Sequence, residues 1–229
     1  MHRYAAYVTE LIGAFFLMFT VGLSVLTGSS LAPLAIGAVL MVMVYAGAHV
    51  SGGHYNPSLT LAVLVRHKLG RPDAIAYWVA QIVGGILGAL VAQWVANPGA
   101  VAAFEPDGRR LVSALVVELL FTFALAYVML NVATSRSNPN NSFYGLAIGF
   151  TVVAGAVVAG SISGAAFNPA VTLGLTAIGA LPWYLAALYL IVQLVAGFAA
   201  AAAFLALNPD EAPVRQEERE TVRADSSAP

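Results

Sequence analysis

Two carboxylates, Glu10 and Glu118, stand inside long apolar stretches of this 229-residue chain. A charge surrounded by hydrocarbon is costly, so each must either relay protons or accept hydrogen bonds from otherwise unpaired groups. Their matched placement favours the second role, with backbone N–H groups of nearby turns as donors. His49 and His54 flank one such turn. Two histidines without a carboxylate beside them make a weak metal site, so they read as structural or wall side chains, with a pH-sensitive gate as the sharper alternative. Ser51 and His54 could begin a nucleophile–base pair, but no third orienting group accompanies them. The most informative pair is Asn56-Pro57-Ser58 and Asn168-Pro169-Ala170. Asn is a good helix cap, and Pro suits the first helical position, where its missing N–H costs nothing. Each dipeptide therefore starts a helix and leaves part of an amide free at its tip.

The elements that carry these residues belong in a bilayer. Hydrophobic residues make up 60% of the chain and charged residues 9%, against about 25% charged in a soluble domain. A net charge of −1 provides no field for nucleic acid, and the absence of cysteine excludes thiol chemistry, disulfides and Cys-held metals. No cofactor or metal site is expected. Six stretches approach the ~20 residues that a spanning helix needs: Tyr7–Thr27, Leu31–Val50, Ala74–Ala96, Leu111–Ala133, Phe143–Gly160 and Leu181–Leu207. Two apolar pieces, Pro57–Val65 and Pro169–Ile178, are too short to span. No small-residue cleavage pattern follows the first apolar run, so a removed signal peptide is not expected. With the N-terminus cytoplasmic, Arg3, Arg66, Lys68, Arg71 and Arg136 all fall inside, and only Arg109 and Arg110 fall outside. Both termini are then cytoplasmic, in a plasma or inner membrane. Asn208–Pro229 has no hydrophobic periodicity and is expected to be a disordered tail. Trp94, Trp183 and Tyr184 suit the membrane interfaces, and Gly84-x-x-x-Gly88 suits a close helix crossing.

The chain is also a duplication. Ser51–Leu61 matches Ser163–Leu173 at an offset of 112 residues, and the same offset pairs Tyr77 with Tyr189, Gln81 with Gln193 and Gly85 with Gly197. Glu10 pairs with Glu118 at an offset of 108. The halves run from about 1 to 96 and 111 to 207, within one membrane domain, 1–207. Three spans per half is odd, so the second copy enters from the opposite side, giving inverted repeats about an axis in the membrane plane. Each short helix covers half a bilayer and re-enters, so the two N-termini meet at the midplane. There they place roughly +0.5 charge each, which opposes cations and protons but not neutral molecules. Both Asn amides can donate to one passing oxygen and break a proton-conducting water chain.

The paired Asn-Pro motifs, the inverted halves and the Glu10/Glu118 pair resemble the major intrinsic protein family, the aquaporins and glycerol facilitators. The likeness runs from Val8 to Leu207. It implies an all-α membrane protein of six transmembrane helices plus two re-entrant half-helices, a homotetramer in lipid with one pore per subunit, and passive flux of water or small neutral solutes without enzymatic activity. It also implies an outer constriction at Ile36, Ala156, Ala165 and Val171, with Gly155 as an alternative register to Ala156. Most water-selective members carry Arg where this chain has Val171, and the first motif usually has Ala where this chain has Ser58. The apolar ring is similar to the tonoplast-type branch and implies a wide mouth. A glycerol, urea or ammonia facilitator with poor water selectivity is the alternative. A secondary transporter would need ion-binding acids at the midplane, where only two amides stand; a non-conducting family member also remains open.

Overall fold

The computed structural model describes residues 2–211, so most of the expected tail, 212–229, lies outside the described residues. The helices are α1 (His2–Thr27), α2 (Ala32–Ser51), α3 (Pro57–Val65), α4 (Arg71–Ala96), α5 (Gly108–Ala133), α6 (Tyr144–Ser163), α7 (Pro169–Ala177) and α8 (Trp183–Leu207). Six of them are long and apolar enough to cross a membrane. The nine-residue helices α3 and α7 are about 14 Å long. Among the described residues the fold is all-α, as the periodicity and the resemblance imply.

Several spans start earlier than the apolar runs. α1 begins at His2, α4 at Arg71 and α5 at Gly108. Hydropathy marks the stretch that lies in hydrocarbon, whereas the hydrogen-bonded helix continues into the polar interface. α6 extends to Ser163 and ends where Gly164 turns left-handed at φ 83°; α2 ends the same way at Gly52, φ 92°.

Glycine sets the close crossings. A Cβ at Gly84 would lie 2.3 Å from the Leu11 carbonyl oxygen, and one at Gly88 would lie 2.4 Å from that of Phe15, so α1 and α4 touch backbone to backbone. α2 and α6 cross between the halves in a reciprocal contact: a Cβ at Gly37 would lie 2.6 Å from the Gly149 carbonyl, and one at Gly149 would lie 2.5 Å from that of Gly37. The short helices are exchanged, α3 packing on α8 and α7 on α4. Gly197 and Gly85 make room, their would-be Cβ atoms lying 2.4 Å from the Ser58 carbonyl and 2.8 Å from that of Ala170.

One face of the bundle holds the starts of α1 and α4, joined by Tyr7 donating to Asp73 at 2.6 Å. It also holds the ends of α3 and α8 and the α5–α6 loop, which meet at Glu211. The opposite face joins the α4–α5 loop to the end of α7 through the Phe104 N–H and the Ala180 carbonyl, 3.0 Å apart. Exposed Trp94, Trp183 and Tyr184 lie at the helix ends of that face.

The first residues of the expected tail are ordered. Pro209–Glu211 forms a 3-10 turn, and Glu211 is buried against Arg66, Ser135 and Arg136. Periodicity could not reveal this, because an ion pair replaces apolar packing there.

Candidate pore

Each half-helix begins with the same local chemistry. Asn56 has extended backbone, and its side-chain oxygen accepts from the Ser58 N–H at 2.9 Å. Asn168 does the same with the Ala170 N–H at 2.9 Å. The amide nitrogens then cross between the halves: Asn56 Nδ2 donates to the Phe167 carbonyl at 3.0 Å, and Asn168 Nδ2 donates to the Tyr55 carbonyl at 2.9 Å. The two tips are thus locked together, and each Nδ2 keeps one N–H uncommitted. Sequence reasoning brought the amides to one point but missed this mutual lock.

Behind each tip sits a carboxylate that accepts four hydrogen bonds. Glu10 receives them from the Ser51 hydroxyl (2.6 Å), the His54 N–H (2.9 Å), the Tyr55 N–H (2.7 Å) and Gln81 Nε2 (2.7 Å). Glu118 receives them from the Ser163 hydroxyl (2.7 Å), the Ala166 N–H (3.0 Å), the Phe167 N–H (2.8 Å) and Gln193 Nε2 (2.8 Å). Tyr77 and Tyr189 complete the arrangement by donating to the Ser51 and Ser163 carbonyls, each at 2.7 Å. Neither carboxylate lines the central cavity. Their oxygens are taken up by turns that no ladder could satisfy at this depth. The tyrosines and glutamines had been visible only as repeat partners without a role.

The cavity between the tips has a volume of about 20 Å³, enough for one or two waters. Its wall repeats across the pseudo-two-fold: Leu17 with Leu125, Leu40 with Val152, His54 with Ala166, Asn56 with Asn168 and Leu59 with Val171. Val21, Ile36, Ala165 and Phe167 line it without a partner. Of the four constriction positions, Ile36, Ala165 and Val171 are on this wall. Ala156 is buried outside it, and the α6 residue on the wall is Val152, one turn earlier on the same helix face. Gly155 packs against Phe121 and Phe167. Leucine and valine from six helices line the enclosed space. Ser58 leaves the cap intact, although its buried hydroxyl has no partner.

The two histidines part company. His49 is exposed and borders a cavity of about 410 Å³ beside Ser135, Arg136 and Asn138. His54 is buried on the central wall, with Nδ1 3.1 Å from Thr60 Oγ1. Thr60 already accepts from Gln81 Nε2 at 2.8 Å. Its hydroxyl proton is therefore satisfied by a Nδ1 that accepts, which places the ring proton on Nε2. In the second half Ala166 cannot accept, and Thr172 turns instead to Gln193 Oε1 at 3.2 Å. This explains why Gln81 Oε1, the counterpart of that atom, has no partner.

The sequence signature described as major intrinsic protein matches residues 1–161 and 145–227. The chain belongs to the major intrinsic protein family. It is similar to glycerol uptake facilitator protein-like 6 of Lactiplantibacillus plantarum, 38% identical over 176 residues, covering 73% of this chain and 81% of that protein. It is 36% identical over 182 residues to aquaporin NIP2-1 of rice (Oryza sativa subsp. japonica), covering 76% of this chain but only 60% of the relative. Probable aquaporin TIP1-2 of rice is 35% identical over 150 residues, 65% of this chain and 60% of that one. The fold matches the X-ray structure of the aquaglyceroporin from Plasmodium falciparum with TM-score 0.76 at 19% identity, covering 91% of this chain and 98% of that chain. This major intrinsic protein is thus an integral, multi-pass membrane protein of a family of channels for water and small solutes.

Proposed function

We propose that the chain is a passive channel for water and small neutral solutes that excludes ions at the two Asn-capped helix tips. The observation that carries this reading is the interlocked pair of amides, each holding one N–H free beside a cavity of about one or two waters. Two helix N-termini facing each other oppose a cation there, and two fixed donors orient a water so that it cannot pass a proton along a chain. The Ile36, Ala165 and Val171 wall offers nothing that would favour a charged solute. Water and compact solutes such as ammonia or urea fit this narrow apolar wall better than glycerol does. A homotetramer with both termini cytoplasmic completes the proposal; the excess of Arg and Lys on the face holding Arg66, Lys68, Arg71 and Arg136 supports that orientation.

Stopped-flow light scattering on proteoliposomes tests the proposal. Osmotic water flux should exceed that of empty liposomes and ignore ion gradients, whereas flux that needs an ion gradient would establish a transporter instead. Asn168→Asp puts a negative charge at the tips and should raise cation leak; unchanged conductance would remove the dipole barrier from the mechanism.

A further inference from the structure

Tyr55 and Phe167 hold equivalent places, each one residue before its motif Asn and each left-handed, at φ 50° and 49°. Both backbones are pinned. Their N–H groups donate to Glu10 and Glu118, and their carbonyls accept from the opposite Asn amides. Only side-chain rotation can then move either ring.

The two rings are housed differently. Tyr55 lies fully buried in a slot floored by glycine: a Cβ at Gly13 would lie 2.1 Å from its ring, and one at Gly47 would lie 2.0 Å from its hydroxyl. That hydroxyl donates to the Met43 carbonyl at 2.9 Å, and the residue stays off the cavity wall. On the Phe167 side, Phe121 stands where the repeat has Gly13, and its ring centroid is 5.3 Å from that of Phe167. The slot is half filled and the ring has no hydroxyl to anchor it. The remaining space is at Gly155, where a Cβ would lie 2.7 Å from Phe167 Cε2 and 2.8 Å from Phe121 Cδ1. Phe167, unlike Tyr55, is on the cavity wall.

We infer that Gly155 and Phe121 position the Phe167 ring and so set the width of the conduit beside the second motif, which makes Gly155 a specificity-determining position. The inference rests on the pore reading above. A methyl at Gly155 leaves the ring one way to turn, toward a space that holds only one or two waters. Solutes larger than water lose most, since one methylene in a tight site discriminates by about tenfold or more.

The full chain in proteoliposomes provides the test, with water and urea as the probes. Gly155→Ala should cut urea flux roughly tenfold and water flux less, lowering the urea-to-water ratio. Phe121→Leu should raise that ratio and restore it when combined with Gly155→Ala. In a Phe167→Ala background, Gly155→Ala should change nothing, and this arm needs only that the background variant folds. A ratio unmoved by Gly155→Ala in a protein with unchanged thermal stability would overturn the inference and leave the pore reading standing. So would an undiminished effect of Gly155→Ala in the Phe167→Ala background. Wild-type protein that conducts no more than empty liposomes would overturn both.

Discussion

At their N-terminal tips α3 and α7 are near copies, and both end in the same three backbone hydrogen bonds, but the contacts that hold those ends differ. The tips share the Asn cap, the crossed amide, the four-donor carboxylate and the tyrosine behind it. The end of α3 is fixed by charge: Arg66 is buried, its guanidinium lies 4.9 Å from the centre of the Phe204 ring, and it bonds the Glu211 carboxylate and backbone. The end of α7 is held by neutral hydrogen bonds to its carbonyls, the Phe104 N–H donating to Ala180 and the Gln93 side-chain amide donating to Ile178. Duplicated side-chain contacts persist where both copies face one conduit, and diverge where each faces its own side of the membrane.

The largest effect should come from the shared part. Glu118→Ala strands four buried donors at once, and breaking a buried hydrogen-bonded network of this size costs about 3–5 kcal/mol. Glu10→Ala should cost the same, because its four donors are the same. Thermal unfolding in detergent of the two variants checks this; a large inequality would mean that the symmetry of contacts is not a symmetry of energy.

The divergent part comes next. Glu211→Gln leaves Arg66 buried against an uncharged partner and should destabilise by about 3 kcal/mol. This clamp also carries a pH signature. Burial pushes the Glu211 carboxyl up, but the Arg136 N–H, the Ser135 hydroxyl and the Arg66 and Arg136 charges outweigh it and hold the pKa below the usual carboxylate value. A depressed folded pKa means that the unfolded chain binds the proton more readily. The stabilisation is therefore full above the ordinary carboxylate pKa of about 4.3 and is lost as pH falls through the lower folded value. The gap in melting temperature between wild type and Glu211→Gln should close on titrating from pH 7 to below pH 4. A constant gap would show that the clamp acts through packing alone.

What could be read without coordinates follows the same division. The Asn caps, the half-helix lengths and the Glu pair were legible because each is a local signal repeated at a fixed offset. Val152 on the cavity wall was legible in principle, since its repeat partner Leu40 shares that wall. Arg66 and Glu211 were not legible, being 145 residues apart with no periodic pattern to connect them. Nor was the size of the central cavity, which depends on leucine and valine side chains from six helices at once.

Leu59 and Val171 occupy equivalent wall positions on the two half-helices, so a charge at one breaks the likeness without touching the caps. Val171→Arg should narrow the wall and shift the water-to-urea permeability ratio toward water by about tenfold. Leu59→Val, which makes the first wall copy the second, should move that ratio far less. Equal responses would place the selective step elsewhere.

The smallest effect should come from making the first tip imitate the second. His54→Ala removes the acceptor of the Thr60 hydroxyl, which would ordinarily cost about 1 kcal/mol. Gln81 Oε1 stands unpartnered on the far side of the same hydroxyl. Its counterpart already bonds Thr172 in the half that has alanine at this place. The Thr60 proton can therefore turn to Gln81, and the net change in unfolding free energy should stay under about 1 kcal/mol. Adding Thr60→Val to His54→Ala removes that replacement bond and should cost no more than Thr60→Val does beside His54, where it also leaves the buried Nδ1 without a donor. A variant with His54→Ala that melts many degrees lower would show that the histidine holds the turn by contacts other than this one hydrogen bond.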